Sequence, residues 1–279
     1  MQGKTVVMTG ATSGIGAVVA ETLARQGARI VFTARDQARG EATLTQLRAI
    51  APNVNHCVHY TDLSKMVQMK RVAAEIATAE PRIDVLINNA GLIAGQRVVT
   101  EDGLELTFAT NHMAYFVLTS LLRPRLGPGA RIVSTASQAH TGATLDFDDL
   151  QCARGFSSMK AYSRSKLCNV LFTRELARRL VGSGITANAA HPGFVATRFG
   201  SQMGGIMAVV IRGLMKTFAL KPQQGAETLI YLASSPDVAD TTGAYFTKCR
   251  KIAPSPAAQD DASAKRLWDV SAKLSGVDL

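Results

Sequence analysis

The sequence predicts a doubly wound α/β domain built on a parallel sheet. Short apolar, β-branched runs alternate with longer amphipathic stretches from the first residues to about Phe246. Most of the short runs are near-continuously apolar rather than alternating, the signature of strands covered on both faces. A repeated strand–helix rhythm of this kind yields a parallel sheet with helices on either side, whose ligands lie at the carboxyl ends of the strands. The chain has 279 residues, 47% hydrophobic and 19% charged, with no abrupt change of composition, so one domain is expected.

The predicted strands are Thr5–Thr9, Arg29–Ala34, Asn55–Thr61, Val85–Asn88, Arg131–Ala136, Thr186–Ala190 and Ala244–Thr247. Helical patterns run over Ile15–Gln26, Lys65–Ala79, Gly103–Leu122, Ala161–Leu180 and Gln224–Ala233. Gly27 and Gly182 fall where helices should stop, and Asp62 with Ser64 where one should start. Beyond Lys248, Pro254 and Pro256 precede an amphipathic helix around Ala262–Leu274 that carries the only tryptophan, Trp268. This tail is expected to cap the body, with a subunit contact as the second choice.

Several function classes are disfavoured. Cys57, Cys152, Cys168 and Cys249 form no CxxC pair and no metal spacing, which suggests reduced thiols and a cytoplasmic protein. His56 and His59 lie three apart in a strand-like run and so point to opposite faces; no metal site is expected. Met1 to Lys4 lead straight into the first strand with no apolar leader segment. No apolar run approaches the ~20 residues that span a bilayer. The stretch Met203 to Leu220 is interrupted by Arg212 and Lys216. The formal charge of +10 is dispersed and no nucleic-acid motif accompanies it, so nucleic acid is not an expected partner. At most a peripheral membrane contact is expected.

The first strand runs into Thr9-Gly10-Ala11-Thr12-Ser13-Gly14-Ile15-Gly16 and then directly into a helix. Gly10 permits a tight turn, Gly14 lets backbone amides approach a phosphate, and Gly16 lets the helix pack close to the strand. The helix N-terminus offers unpaired N–H groups and a positive dipole end to a pyrophosphate. In this strand–turn–helix context the spacing points to a Rossmann-like dinucleotide site.

The second strand bears on which dinucleotide binds. NAD sites place an acid at its end to bond the adenosine ribose, whereas here Ala34 stands at that place and Arg35 follows. A guanidinium grips a 2′-phosphate with charge-assisted bonds, and Arg39 can join it from the next helix. Asp36 stands beside them. NADP(H) is the expected cofactor.

Tyr162 and Lys166 are four apart in a strongly helical stretch and therefore share a face. A phenol with a pKa of roughly 10 is a poor acid–base catalyst near neutrality, and a fixed ammonium one turn away is expected to lower it.

Across its length the sequence resembles the short-chain dehydrogenase/reductase family. The matching elements are Thr9–Gly16, Asp62-Leu63, Asn88-Asn89-Ala90-Gly91, Asn111, Ser137, Tyr162-x-x-x-Lys166, and Pro192-Gly193 with Thr197, in the family's order. The resemblance implies that Ser137, Tyr162 and Lys166 are catalytic, with Asn111 supporting a proton relay through water; Ser134 is a second serine candidate. It implies cofactor contacts from Gly10, Thr12, Ser13, Gly14, Ile15, Gly16, Arg35 and Arg39, and from Asp62 and Leu63 beside the adenine. Asn88 is implied in holding the central strand, and Asn89, Ala90, Gly91, Tyr162, Lys166, Pro192, Gly193 and Val195 in further cofactor contacts, with Thr197 at the nicotinamide carboxamide. Residues 1–135 then form mainly a cofactor-binding half, 136–250 a catalytic and substrate half, and 251–279 the cap.

Thr110-Asn111-His112, Ser137-Gln138-Ala139-His140, His191-Pro192-Gly193 and Gly243-Ala244-Tyr245-Phe246 look like the retinol dehydrogenase-like branch. The implied activity is hydride transfer between nicotinamide and a carbonyl carbon, with Tyr162 giving the proton to the oxygen. The substrate is expected to be a small hydrophobic aldehyde, ketone or alcohol, and the protein a homo-oligomer, dimer or tetramer. Phe194, Phe199, Met203 and Met207 in the variable segment Phe194–Leu220, with His140, Phe147 and Phe156 opposite, are the expected substrate-lining residues. Alternatives are a reductase of carrier-bound or thioester acyl groups and a non-catalytic NADP(H) sensor or scaffold. The presence of both Tyr162 and Lys166 weighs against the latter.

Overall fold

Buried apolar residues alternate in sides along the central strands of one eight-stranded sheet, in a computed structural model that describes residues 1–193 and 221–279. The strands are β1 (Thr5–Thr9), β2 (Arg29–Ala34), β3 (Cys57–Tyr60), β4 (Ile83–Asn88), β5 (Leu126–Thr135), β6 (Thr186–Ala190), β7 (Tyr245–Thr247) and β8 (Arg250–Ile252). Helices are α1 (Gly14–Arg25), α2 (Gln37–Ile50), α3 (Met66–Ala79), α4 (Leu106–Phe108), α5 (Ala114–Leu122), α6 (Ser158–Arg179), α7 (Pro222–Ser234) and α8 (Asp261–Ser275). The sheet order is β3-β2-β1-β4-β5-β6-β7-β8, parallel throughout except for the antiparallel β7–β8 pair. The chain thus winds outward from β1 to β3, returns to β4 on the other side of β1, and winds outward again. That reversal places a crevice at the carboxyl ends of β1 and β4.

Val7, Val31, Leu86 and Ile132 face one core, shared with α3, α5, α6 and α8. Val6, Met8, Ile30, Phe32 and Ile87 face the other, shared with α1, α2 and α7. Two covered faces leave no solvent-facing side on the central strands, which explains their largely apolar runs. Trp268 of α8 is 2% exposed and belongs to the first core. Its ring stacks on Phe172 at 5.8 Å and meets Phe116 edge-on at 4.9 Å, the Arg179 guanidinium covers it at 4.4 Å, and its indole N–H donates to Asp278. The C-terminal helix is therefore a cap built into the core.

Differences from the expected elements are local. The helix expected over Gly103–Leu122 is interrupted: after α4 comes a π turn, Ala109–Met113, before α5. Nearly every residue of this stretch is buried, so its apolar pattern carries no phase that would disclose an extra residue in one turn. Asp62 and Ser64 do not start α3. Asp62 Oδ1 instead accepts the Ser64 amide at 2.9 Å and its hydroxyl at 2.7 Å, while the first amide of the helix, Met66 N, donates to Asp102 Oδ2 at 2.8 Å. The exposed strand β8 carries Arg250 and Lys251 and has no apolar alternation to reveal it.

Candidate active site

The candidate site residues follow the carboxyl ends of β1 to β6, with Tyr162 and Lys166 added from α6. After β1 the chain turns through Gly10 (φ +72°) and Gly14 (φ +56°), left-handed conformations natural to glycine. A Cβ added at Gly16 would lie 2.0 Å from the Gly10 carbonyl oxygen and 2.6 Å from Asn89 Nδ2. Only glycine lets α1 pack this closely on the turn. Ser13, exposed at the N-cap of α1, makes no capping bond with its side chain, so among the described residues no N-cap side chain takes the first amides of that helix. This arrangement fits a bound pyrophosphate. Ile15 packs against the α1-side core, and Thr12 offers its carbonyl oxygen to Arg39 Nη2 at 3.3 Å.

Arg35 and Arg39 are both exposed beyond the end of β2, and Ala34 is buried. Asp36 caps α2: its Oδ1 accepts the Arg39 amide at 2.8 Å. Its carboxylate is thereby committed to its own helix, and the two guanidinium groups remain as the cations of this corner. Asp62 is half-buried at the neighbouring strand end, with its backbone N–H donating to Gln68 Oε1 at 2.7 Å, and Leu63 is buried in the core.

The segment after β4 is tied to the first turn. Thr9 Oγ1 accepts the amides of Asn89 and Ala90 at 3.0 and 2.9 Å. Asn89 Nδ2 donates to the carbonyls of Thr9 and Gly10, and Asn89 Oδ1 accepts from Thr135 Oγ1 at 3.2 Å. Asn88 points away and donates to Thr119. Thr9 and Thr135 were not singled out from the sequence. A threonine at a strand end is an ordinary β residue, and only the strand order shows that these two face one asparagine.

Asn111 sits in the π turn, fully buried. Its Oδ1 accepts the Leu92 amide at 2.8 Å, and its Nδ2 donates to the Leu92 carbonyl at 3.0 Å and to Ser165 Oγ at 2.9 Å. Both amide hydrogens are therefore in use, with one lone pair of Oδ1 left for a water. Ser165 Oγ donates in turn to the Tyr162 carbonyl at 2.7 Å, so Asn111 braces the helix turn that carries the tyrosine. A Cβ at Gly91 would come within 3.2 Å of Asn111 Oδ1 and 3.6 Å of Lys166 Nζ.

Ser157 caps α6 by accepting the Lys160 amide, and Tyr162 and Lys166 follow one turn apart. Lys166 is 2% exposed; its Nζ donates to the Thr135 carbonyl at 2.9 Å and lies 5.8 Å from the ring centroids of both Tyr115 and Tyr162. The half-buried Ser137, just beyond β5, hydrogen-bonds the Tyr162 phenol. Ser134 is fully buried inside the strand, which leaves Ser137 as the serine beside the tyrosine. The expected effect of Lys166 on Tyr162 is overturned in the protein alone. Burial pushes the phenol up to about 12, against a downward pull from the Ser137 hydroxyl, and burial pushes Lys166 down to about 7. Desolvation is the leading cause at both groups, because each charged form loses its water.

Two expected substrate contacts are corrected. His140 is fully buried: its Nδ1 lies 2.8 Å from the Ser137 carbonyl and its Nε2 accepts the Ser255 amide at 3.2 Å, so it faces inward. Phe147 packs against the main core with the Arg266 guanidinium of α8 over its ring at 4.4 Å, which orients it toward the cap. Phe156 is half-buried. After β6, Pro192 is half-buried and Gly193 is exposed with φ +81°. Phe194, Val195, Thr197, Phe199, Met203 and Met207 lie outside the described residues.

A glycine turn at the sheet's reversal point, Asn89 tied to it, and Ser137, Tyr162 and Lys166 on the adjoining strand end and helix stand at one end of the sheet, and the family that the chain matches makes it a nicotinamide-dependent oxidoreductase. The family model described as short chain dehydrogenase matches residues 4–204, and the chain belongs to that family. It is 40% identical to human retinol dehydrogenase 14, over 99% of this chain and 88% of that protein. To human retinol dehydrogenase 13 it is 39% identical, over 99% of this chain and 86% of that protein. These relatives place it in the retinol dehydrogenase-like branch, whose chemistry interconverts alcohol and carbonyl groups. A solved structure from Mycobacterium paratuberculosis superposes with a TM-score of 0.80 at 34% identity, covering 99% of this chain and 95% of that chain. A short chain dehydrogenase from Burkholderia cenocepacia J2315, solved in complex with NADP, gives 0.71 at 27% identity, covering 93% and 99%. Among the described residues no helix is long and apolar enough to cross a membrane.

Proposed function

We propose that the protein is an NADP(H)-dependent oxidoreductase that interconverts a hydrophobic aldehyde or ketone and its alcohol, with Tyr162 as the general acid and base. The observation that carries this reading is the hydrogen bond between Ser137 and the Tyr162 phenol, with Lys166 against the same tyrosine ring. Arg35 and Arg39 at the end of β2 support NADP(H), because two guanidinium groups there match a 2′-phosphate and the nearest carboxylate caps a helix.

In the reduction direction Tyr162, protonated at neutral pH, gives its phenolic proton to the carbonyl oxygen as charge develops there. The Ser137 hydroxyl steadies the phenolate that remains and orients the oxygen. Lys166, seated on the Thr135 carbonyl, binds the cofactor on one side and stands by Tyr162 on the other; once protonated it favours the tyrosinate that oxidation needs. Gly10 to Gly16 and the α1 N-terminus hold the pyrophosphate, and Asn89, Ala90 and Gly91 shape the floor between them. When bound, the nicotinamide supplies or takes up the hydride.

The test is an absorbance assay of NADPH and NADH consumption with hydrophobic aldehydes, free ketones, retinal and acyl thioesters. Turnover of an apolar aldehyde or ketone with NADPH preferred is expected. Turnover of thioesters alone, or a preference for NADH, would overturn the corresponding part of the proposal.

A further inference from the structure

We propose, building on the role just given to Ser137 and Tyr162, that His140 is a positioning residue whose imidazole holds the Ser137 peptide so that the serine hydroxyl is aimed at Tyr162. The ring's hydrogen bonds determine which nitrogen carries the proton. His140 Nε2 accepts the backbone N–H of Ser255 at 3.2 Å, so that nitrogen is bare. A neutral imidazole with a bare Nε2 carries its proton on Nδ1, and the Nδ1–H donates to the Ser137 carbonyl at 2.8 Å. Burial holds His140 below its usual pKa, which makes the neutral ring the form present.

The serine turn then reads as a unit. The Ser137 carbonyl also accepts the His140 amide at 3.1 Å, and the Ser137 hydroxyl oxygen accepts the Ala139 amide at 3.2 Å. The same hydroxyl is hydrogen-bonded to the Tyr162 phenol. The Tyr245 hydroxyl braces the ring from the side. It lies 3.3 Å from His140 Nδ1 and 2.6 Å from His191 Nδ1, and the two rings meet edge-on at 4.9 Å. Because His140 Nδ1 is a donor, the Tyr245 hydrogen goes to His191. One imidazole thus joins the serine turn to β7 through Tyr245, and to the C-terminal segment through Ser255.

Two substitutions separate the two bonds of the ring. H140N keeps an amide donor near the Nδ1 position and gives up the acceptor for Ser255. H140Q keeps an acceptor near the Nε2 position and gives up the donor to Ser137. H140Q is expected to lower kcat by about tenfold or more with KM for NADPH within about twofold, and H140N to stay within about threefold of wild type, since small misplacements at a reacting centre are costly. Unchanged kcat in H140Q, or equal losses in both variants with a raised KM for NADPH, would overturn the proposal. A readout independent of turnover is NMR of the wild-type protein labelled with nitrogen-15 histidine at neutral pH. His140 is expected to show a protonated Nδ1 and a bare Nε2; the opposite tautomer would overturn its role. A wild type inactive on every carbonyl tried would count against the proposed reaction, and the tautomer would then decide the His140 assignment by itself.

Discussion

Lys166 Nζ donates to the carbonyl oxygen of Thr135 at 2.9 Å, two residues before Ser137 on the same strand end. The bond fixes the lysine between strand β5 and helix α6 and accounts for its full burial at no great distance from Tyr162. Asn169, one turn further along α6, donates to the same oxygen at 3.2 Å. The carbonyl at the end of β5 is therefore the point on which helix α6 is registered against the sheet.

Burial lowers Lys166 from 10.5 to about 7, so between those values the unfolded chain binds a proton that the folded chain does not. Stability from this group is full above pH 10.5 and is lost as pH falls toward 7. Thermal unfolding of the cofactor-free protein should therefore show a midpoint that rises with pH across this window, and Lys166→Met should flatten that rise. Parallel curves for the two proteins would refute the shift.

Arg35 is exposed and its neighbour Asp36 is engaged at the α2 N-cap. Arg35→Ala should raise KM for NADPH by about tenfold or more while KM for NADH moves by less than about twofold, as expected for loss of a charge-assisted bond to a phosphate. Steady-state kinetics with both cofactors provide the check. An equal rise for both would assign Arg35 a structural role instead.

Gly16 has no room for a side chain, with a Cβ placed 2.0 Å from the Gly10 carbonyl. Gly16→Ala should destabilise the protein by about 1–3 kcal/mol through overpacking. It should also weaken NADPH binding, because the displaced turn is the proposed pyrophosphate seat. Urea unfolding and NADPH fluorescence titration measure the two effects separately.

Much of this fold was legible in the sequence because its central strands are buried on both faces. Thr5–Thr9, Arg29–Ala34 and Thr186–Ala190 have the expected bounds, since each run is apolar enough to be read without phase. Ser137 and Lys166 both lie against Tyr162, the grouping that the family resemblance implied. The parts that were not legible lie where long-range pairing decides. The π turn at Asn111 is hidden in a stretch buried on nearly every side, and the α3 cap comes from Asp102, far along the chain. His140, expected among the substrate-lining residues, faces inward because its partners Tyr245 and Ser255 lie more than a hundred residues away in the chain. Lys166 is likewise enclosed by residues from other elements, Thr135 and Tyr115, so the burial that lowers its pKa was not legible in the sequence.

The most direct measurement is NADPH oxidation with a hydrophobic aldehyde by wild type and by Tyr162→Phe, paired with NADPH affinity for each. The proposed mechanism predicts that the variant loses kcat by about 10²–10⁴-fold, the range of general acid catalysis, with cofactor affinity unchanged. Near-normal turnover by Tyr162→Phe would contradict it.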